Sequence, residues 1–181
     1  KLLLASPAVQ TLRLVGRQVR YENVAFWRNP VAAVAELARR HGALAHADAA
    51  QAVGRIPVSV EALGVDFITF SSHKIGGPQG AGAIVARSED LMPRPLVTGG
   101  RQERGRRAGT ENTPAIEGLR VAAELAGRRL ASDPPRLTAL RDRLERGILA
   151  SVQGASVNGD PGSRVPNTAN ISVDGVEGES L

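Results

Sequence analysis

The 181 residues contain no cysteine. That absence excludes disulfides, thiolate metal sites and a cysteine nucleophile within this stretch of polypeptide. Aromatic residues make up only 3%, so the chain offers no stacking platform of the kind that binds nucleic-acid bases. The arginines are spread through helical segments rather than grouped as a tail, which also argues against a nucleic-acid partner. No run approaches the roughly 20 apolar residues needed to span a membrane. The opening Lys1-Leu2-Leu3-Leu4-Ala5 is too short for a signal-peptide core, and no small-residue cleavage pattern follows it. A cytoplasmic location with no membrane partner is expected. The three histidines (His41, His46 and His73) lack the i, i+4 pairing of a helical metal site, so no metal is expected. His41, near a helix end, reads as a surface cap.

What is present is ordinary in amount and unusual in arrangement. Apolar residues account for 42%, a globular value, and the length allows one domain with a sizeable core, or one domain and part of another. The formal charge of +5, carried mostly by arginine, favours anionic partners.

Asn29-Pro30 opens a helix with an N-cap residue and a proline at its first position. Val31, Val34, Leu37 and Ala38 recur at helical spacing until Gly42 stops it. A short apolar strand is expected at Ala43-Leu44-Ala45, running into His46. A second is expected at Val65 to Phe70, and a third from Ala81 to Ala86 after the glycine-rich Gly76-Gly77-Pro78-Gln79-Gly80. Apolar strands separated by helical or turn segments predict an α/β layer with a mainly parallel sheet and flanking helices. From Thr113 the pattern turns helical, with Ile116, Leu119, Val121 and Leu125 expected to line one face. After Asp133-Pro134-Pro135, Leu137, Leu140, Leu144 and Ile148 form a second apolar stripe. A domain boundary is expected near residue 129, giving units 1–128 and 129–181. Val165 to Val173 reads as a loop entering a strand. The ending at Glu179-Ser180-Leu181 suggests a second, α+β domain begun and not completed. Residues 1–28 show no persuasive period.

Two blocks fall just past expected strand ends, where open α/β sheets bind ligands: His46 to Asp48, and Ser71-Ser72-His73-Lys74. Asp48 is the only acid between Glu36 and Glu61 and lies in a small, apolar context, so it is expected to be buried. It reads either as a helix N-cap or as a carboxylate facing a cationic ring nitrogen. Lys74, 26 positions later, reads either as a solvated surface amine or as one that captures an aldehyde. Ser71, Ser72 and His73 are turn residues or anion donors, and the glycine cluster is a tight turn or a phosphate loop. Composition and spacing allow a cofactor site without naming the cofactor.

Three successive segments resemble signatures of the cysteine desulfurases. They are His46-Ala47-Asp48-Ala49-Ala50-Gln51-Ala52-Val53-Gly54, Ser71-Ser72-His73-Lys74-Ile75-Gly76-Gly77-Pro78, and Gly99-Gly100-Arg101-Gln102-Glu103-Arg104-Gly105 with Arg107, Gly109, Thr110, Glu111 and Asn112. Asn158-Gly159, Pro166-Asn167 and Val176 to Leu181 are similar to the same group. These enzymes belong to the class V aminotransferase branch of fold-type I pyridoxal-phosphate enzymes, and the resemblance is to their iron–sulfur-assembly and nitrogenase-type group. The resemblance runs from about Pro30 to Leu181 and implies part of a large cofactor-binding domain followed by the start of a small one.

The resemblance also implies roles. Lys74 would bond pyridoxal 5'-phosphate and then move the substrate α-proton. Asp48 would pair with the ring nitrogen, Gln51 would bond the ring oxygen, and Ser71 and His73 would hold the phosphate. Thr110 would reach the phosphate of a neighbouring subunit, which implies a homodimer. Arg104 and Arg107 remain open between phosphate-side, interface and solvated positions. The implied reaction converts L-cysteine to L-alanine and leaves a persulfide for iron–sulfur or thio-cofactor synthesis, with a sulfur-acceptor protein downstream. Alternatives on the same scaffold are a class V aminotransferase, a selenocysteine lyase or a non-catalytic remnant.

Two departures stand out. Where the family carries an Asn-Asn-Glu-Thr-Gly-like segment, this chain reads Tyr21-Glu22-Asn23-Val24-Ala25-Phe26-Trp27-Arg28. An ungapped count sets Asn23 on the family's cofactor-contacting asparagine among neighbours that differ. The family's nucleophilic cysteine and carboxylate-binding arginine fall beyond Leu181, so the chain is expected to be a fragment, truncated at both ends and inactive alone as a desulfurase.

Overall fold

A computed structural model describes residues 3–4, 11–14, 17–20, 30–162 and 164–178, the first three stretches and Pro30 by backbone alone. Proline opens helix α1 (Pro30–Arg40), and one face of that helix is buried through Val34, Ala35 and Ala38. The helix stops at Gly42, whose φ of +64° suits a residue without Cβ. The Ala43 amide then donates back to the Ala38 carbonyl at 2.9 Å.

Strand β4 (His46–Asp48) begins three residues later than the expected Ala43–Ala45. The reason lies in Asp66. Its buried carboxylate takes the Ala45 amide at 2.8 Å through Oδ2 and the Arg87 guanidinium at 2.7 Å through Oδ1, so a side chain occupies the amide at the strand's entry while the Ala45 carbonyl still accepts from the Asp66 and Phe67 amides. Strand β5 (Phe67–Ser71) follows the short helix α2 (Val60–Leu63), which Ser59 caps by accepting from the Ala62 amide.

Strands β1 (Leu3–Leu4), β4 and β5 pair in parallel, and β6 (Gly82–Ala86) closes the sheet antiparallel to β5, in the order β1-β4-β5-β6. The sheet is therefore mainly parallel, with an antiparallel edge. Ten residues separate β5 from β6, too few for the crossover that parallel neighbours require. A separate hairpin joins β2 (Thr11–Leu14) to β3 (Arg17–Arg20). Neither these two strands nor β1 has a legible period in the sequence.

Alternation along the strands gives the sheet two unlike faces. Ala45, Ala47, Ala49 and Ile68 join Val34, Ala35 and Ala38 of α1 in one core, completed by Val60 and the fully buried Val65. Burial of a side chain such as Val65 is worth about 2 kcal/mol. His46, Asp48, Thr69 and Ser71 belong to the opposite face.

Beyond the sheet come the turn α3 (Gln102–Gly105) and the helices α4 (Thr113–Arg129) and α5 (Asp133–Ser151). The antiparallel pair β7 (Ala155–Val157) and β8 (Ile171–Val173) completes the described elements. Neither long helix buries its expected stripe. On α4 the buried residues are Ala115 and Ala122, while Ile116, Val121 and Leu125 remain about 40% exposed. The surface it packs on is a glycine turn that admits only small side chains. On α5 Glu145 is buried while Leu140 and Leu144 lie half exposed, because Arg164 folds back onto the helix. Its Nη1 and Nη2 donate to the two Glu145 oxygens at 2.5 and 2.7 Å. Beside them Arg141 donates to Asp142 at 2.7 Å.

The Arg164 hydrogen bonds hold the Glu145 carboxyl below the usual carboxylate range, with burial opposing them. Removing one member of such a pair strands the other. Glu145→Gln is expected to lower the unfolding free energy by about 3 kcal/mol, read from denaturant midpoints. A depressed folded-state value means that the contribution is fully present above the unfolded carboxylate range and is lost as pH falls through the lower folded value. The gap between wild type and variant should therefore close in acid.

Candidate functional site

Because β4 and β5 run in parallel and pair directly, their carboxyl-terminal ends emerge side by side. Asp48 is the last residue of β4, with Thr69 as its partner across the ladder, and Ser71 ends β5 two residues later. The Ala49 amide donates to the Thr69 carbonyl at 2.8 Å, which carries the pairing one residue past the strand.

Asp48 differs from expectation in being exposed. Its neighbours Ala47 and Ala49 take the buried face, and alternation turns Asp48 to the other. One oxygen accepts from the Ala50 amide at 2.9 Å, which fixes the carboxylate against its own turn. Among the described residues it makes no ion pair. Gln51 follows on the same turn, with its side chain exposed.

On the neighbouring strand, Ser72–Ile75 forms a single 3-10 turn that ends at Gly76, φ +87°. It presents His73 and Lys74 to solvent and buries Ser72 completely. The Lys74 amine has no side-chain partner among the described residues. Helix α4 seats this turn through small residues. A Cβ on Gly77 would fall 2.2 Å from the Ser72 hydroxyl oxygen and 3.0 Å from Ala122 Cβ, and one on Gly118 would meet Pro78 at 2.5 Å. Gly54, in the Asp48 turn, approaches Ala126 and Ile75 in the same way.

Arg55 connects the two halves, a role that sequence reasoning missed. Its guanidinium donates to the Gln51 carbonyl at 3.3 Å and to the Lys74 carbonyl at 3.0 Å. Both partners are main-chain oxygens, so no side-chain pattern announces them. Spacing after Gly54 is the only cue the sequence holds.

The structure thus brings together Asp48, Gln51, Ser71, His73 and Lys74. Thr110 lies on the exposed loop before α4, and no hydrogen bond or ion pair joins it to those five among the described residues. Asn112 caps α4 by accepting from the Ala115 amide at 3.3 Å. Arg107 wraps its own loop, donating to the Gly109 carbonyl at 2.8 Å, and Arg104 pairs with exposed Glu89 at 2.6 Å. Glu103, Arg104 and Gly105 are successively left-handed, with φ of 50, 58 and 79°. Asn23 lies outside the described residues. Among those described, no cluster of three His, Cys, Asp or Glu could hold a metal ion, and no helix is long and apolar enough to cross a membrane.

A mainly parallel α/β sheet flanked by helices is the layout of the fold-type I pyridoxal-phosphate enzymes. The chain belongs to the aminotransferase class-V family, whose profile matches residues 17–181. It is 49% identical over 152 residues to a cysteine desulfurase of Gluconacetobacter diazotrophicus and 51% identical over 152 residues to one of Cereibacter sphaeroides. Each match covers 84% of this chain and 38% of the relative, so the chain spans well under half the length of these curated relatives. Among solved structures it resembles a NifS-like protein from Rickettsia africae (TM-score 0.76, 33% identity, covering 83% of this chain and 41% of that one). It also resembles DndA from Streptomyces lividans (TM-score 0.70, 38% identity, covering 83% and 43%).

Two outcomes follow from this geometry. Gly77→Ala should cost roughly 1–3 kcal/mol of stability, since the added methyl meets a fully buried hydroxyl and a helix; a neutral denaturant midpoint would contradict the seam. Arg55→Ala should speed amide exchange in residues 49–56 and 72–77 together, read by hydrogen exchange. Faster exchange in one turn alone would show that the guanidinium does not link them.

Proposed function

We propose that this chain supplies the cofactor-bearing part of a pyridoxal-phosphate-dependent cysteine desulfurase. The observation that carries the reading is the adjacency of the Asp48 and Lys74 turns on parallel neighbours, tied by Arg55. The donor set fits the cofactor: at the carboxyl ends of two neighbouring strands stand an amine and a carboxylate that make no ion pair among the described residues, with an amide, a hydroxyl and an imidazole. When bound, pyridoxal phosphate would withdraw electrons from the substrate α-carbon.

The chain's own residues would do the rest. The Lys74 amine would hold the aldehyde carbon and afterwards carry a proton to and from the α-carbon. Asp48, fixed by the Ala50 amide, would keep the ring nitrogen protonated by supplying the opposing charge. Gln51 would orient the ring oxygen, and Ser71 and His73 would hold the phosphate. Asn23 is proposed to add a further contact to the cofactor. Thr110 is proposed to act on the cofactor of a second copy, which makes the working form a homodimer.

L-Cysteine is the proposed substrate, supported by the names of the curated relatives and by a solved neighbour, SspA, described as in complex with cysteine (TM-score 0.61, 28% identity). With no cysteine in these 181 residues, the thiol that receives the sulfur must come from another stretch of polypeptide. A sulfur-acceptor protein, iron–sulfur or thio-cofactor synthesis, and a cytoplasmic location belong to the same proposal. So does the division into units 1–128 and 129–181, supported by α4 packing on the Lys74 turn while α5 packs on β7.

The test exploits composition, since Lys1 is the only other lysine. Added pyridoxal phosphate should produce the visible absorbance of a lysine-bound cofactor. Borohydride reduction followed by peptide mass spectrometry should locate the label at Lys74, and Lys74→Ala should abolish it. A label found only at the amino terminus, or none, would refute the reading.

A further inference from the structure

We infer that Thr69 and His46 form a positioning pair for the Asp48 carboxylate. The inference rests on the proposed cofactor reading and extends it to two residues that make no direct claim on the cofactor.

Three observations carry it. First, strand geometry sets His46 and Asp48, two residues apart on β4, on one face of the sheet, and the ladder pairs Asp48 with Thr69, so all three side chains belong to that face. Second, the Thr69 hydroxyl and His46 Nε2 lie 2.9 Å apart in a part-buried hydrogen bond across the two strands. Third, the Thr69 carbonyl accepts the Ala49 amide at 2.8 Å. Thr69 therefore grips β4 on both sides of Asp48, by its hydroxyl at residue 46 and by its carbonyl at residue 49. Among the described residues the Asp48 carboxylate is held by the Ala50 amide on its far side.

The physical consequence concerns direction. A carboxylate at the end of a three-residue strand can swing with any fraying of that strand, and a ring nitrogen recognises it only along a narrow approach. Removing the hydroxyl leaves the carbonyl contact and the ladder in place, yet frees the His46 ring and with it the strand segment that aims Asp48. A cross-strand polar pair that served stability alone would contribute a few tenths of a kcal/mol to about 1 kcal/mol to folding and nothing to ligand affinity. The two roles therefore separate by measurement.

The experiment titrates pyridoxal phosphate into the 181-residue chain and its variants, following the visible absorbance, with melting temperatures recorded without cofactor. Thr69→Val, which keeps shape and removes the hydroxyl, should weaken uptake by about tenfold, and Thr69→Ser should restore it to within about twofold of wild type. His46→Phe, which keeps a ring and removes the nitrogen, should show the same loss. The double variant should lose no more than either single one, because both remove one interaction. Wild-type affinity in Thr69→Val or in His46→Phe, losses that add in the double variant, or a lowered melting temperature with unchanged affinity would each overturn the pairing while leaving the proposed function intact. A wild-type chain that takes up no cofactor at Lys74 would overturn the proposed function, and this inference with it.

Discussion

Parallel pairing between two short strands is the constraint from which the rest of this structure follows. A hairpin would have sent the ends of β4 and β5 in opposite directions. The parallel arrangement instead releases the Asp48 turn and the Ser71–Lys74 turn at one edge, within reach of a single guanidinium. It also requires a connection long enough to cross back, which residues 49–66 provide by way of α2. The alanines on one face let α1 press close to the sheet, and the same alternation turns Asp48 out to the other face. One pattern of small and polar residues thus builds a core on one face and sets Asp48 on the other.

Much of this was legible in the sequence because the signals were local. Pro30 and Gly42 bracket α1, the helical pattern from Thr113 opens α4, and the β-forming run before Ser71 marks an inner strand within two residues. The candidate site was readable as motif blocks whose order and spacing imply neighbouring loops. What escaped has a common cause. Strand β4 begins late because Asp66, twenty-one positions from Ala45, occupies its entry. Glu145 displaces leucines from the inner face of α5 because Arg164 meets it from nineteen positions away. Arg55 acts on carbonyl oxygens that every residue carries. Each is a long-range polar contact, and hydrophobic periodicity is silent about those.

The direction of the errors on α4 and α5 carries the same lesson. An apolar stripe predicts a buried face when a helix packs against ordinary side chains. Helix α4 packs against a turn through Gly77 and Pro78, where a small residue such as Ala122 or Gly118 fits and a leucine would not. Its larger apolar residues consequently stand partly open to solvent, and the periodicity marks the wrong side.

That glycine–alanine contact makes α4 a strut. At seventeen residues the helix is about 25 Å long, anchored near its start by Gly118 on Pro78 and at its middle and far end by Ala122 on Gly77 and Ala126 on Gly54. Backbone meets methyl along its length with little compliant side chain between, so tilt of the helix is transmitted rather than absorbed. Helix α5 is joined to the far end of α4 by three residues. Displacing α4 would therefore shift the backbone at Gly77 and Gly54, and with it the turns that carry Lys74 and Asp48, instead of deforming side chains in between.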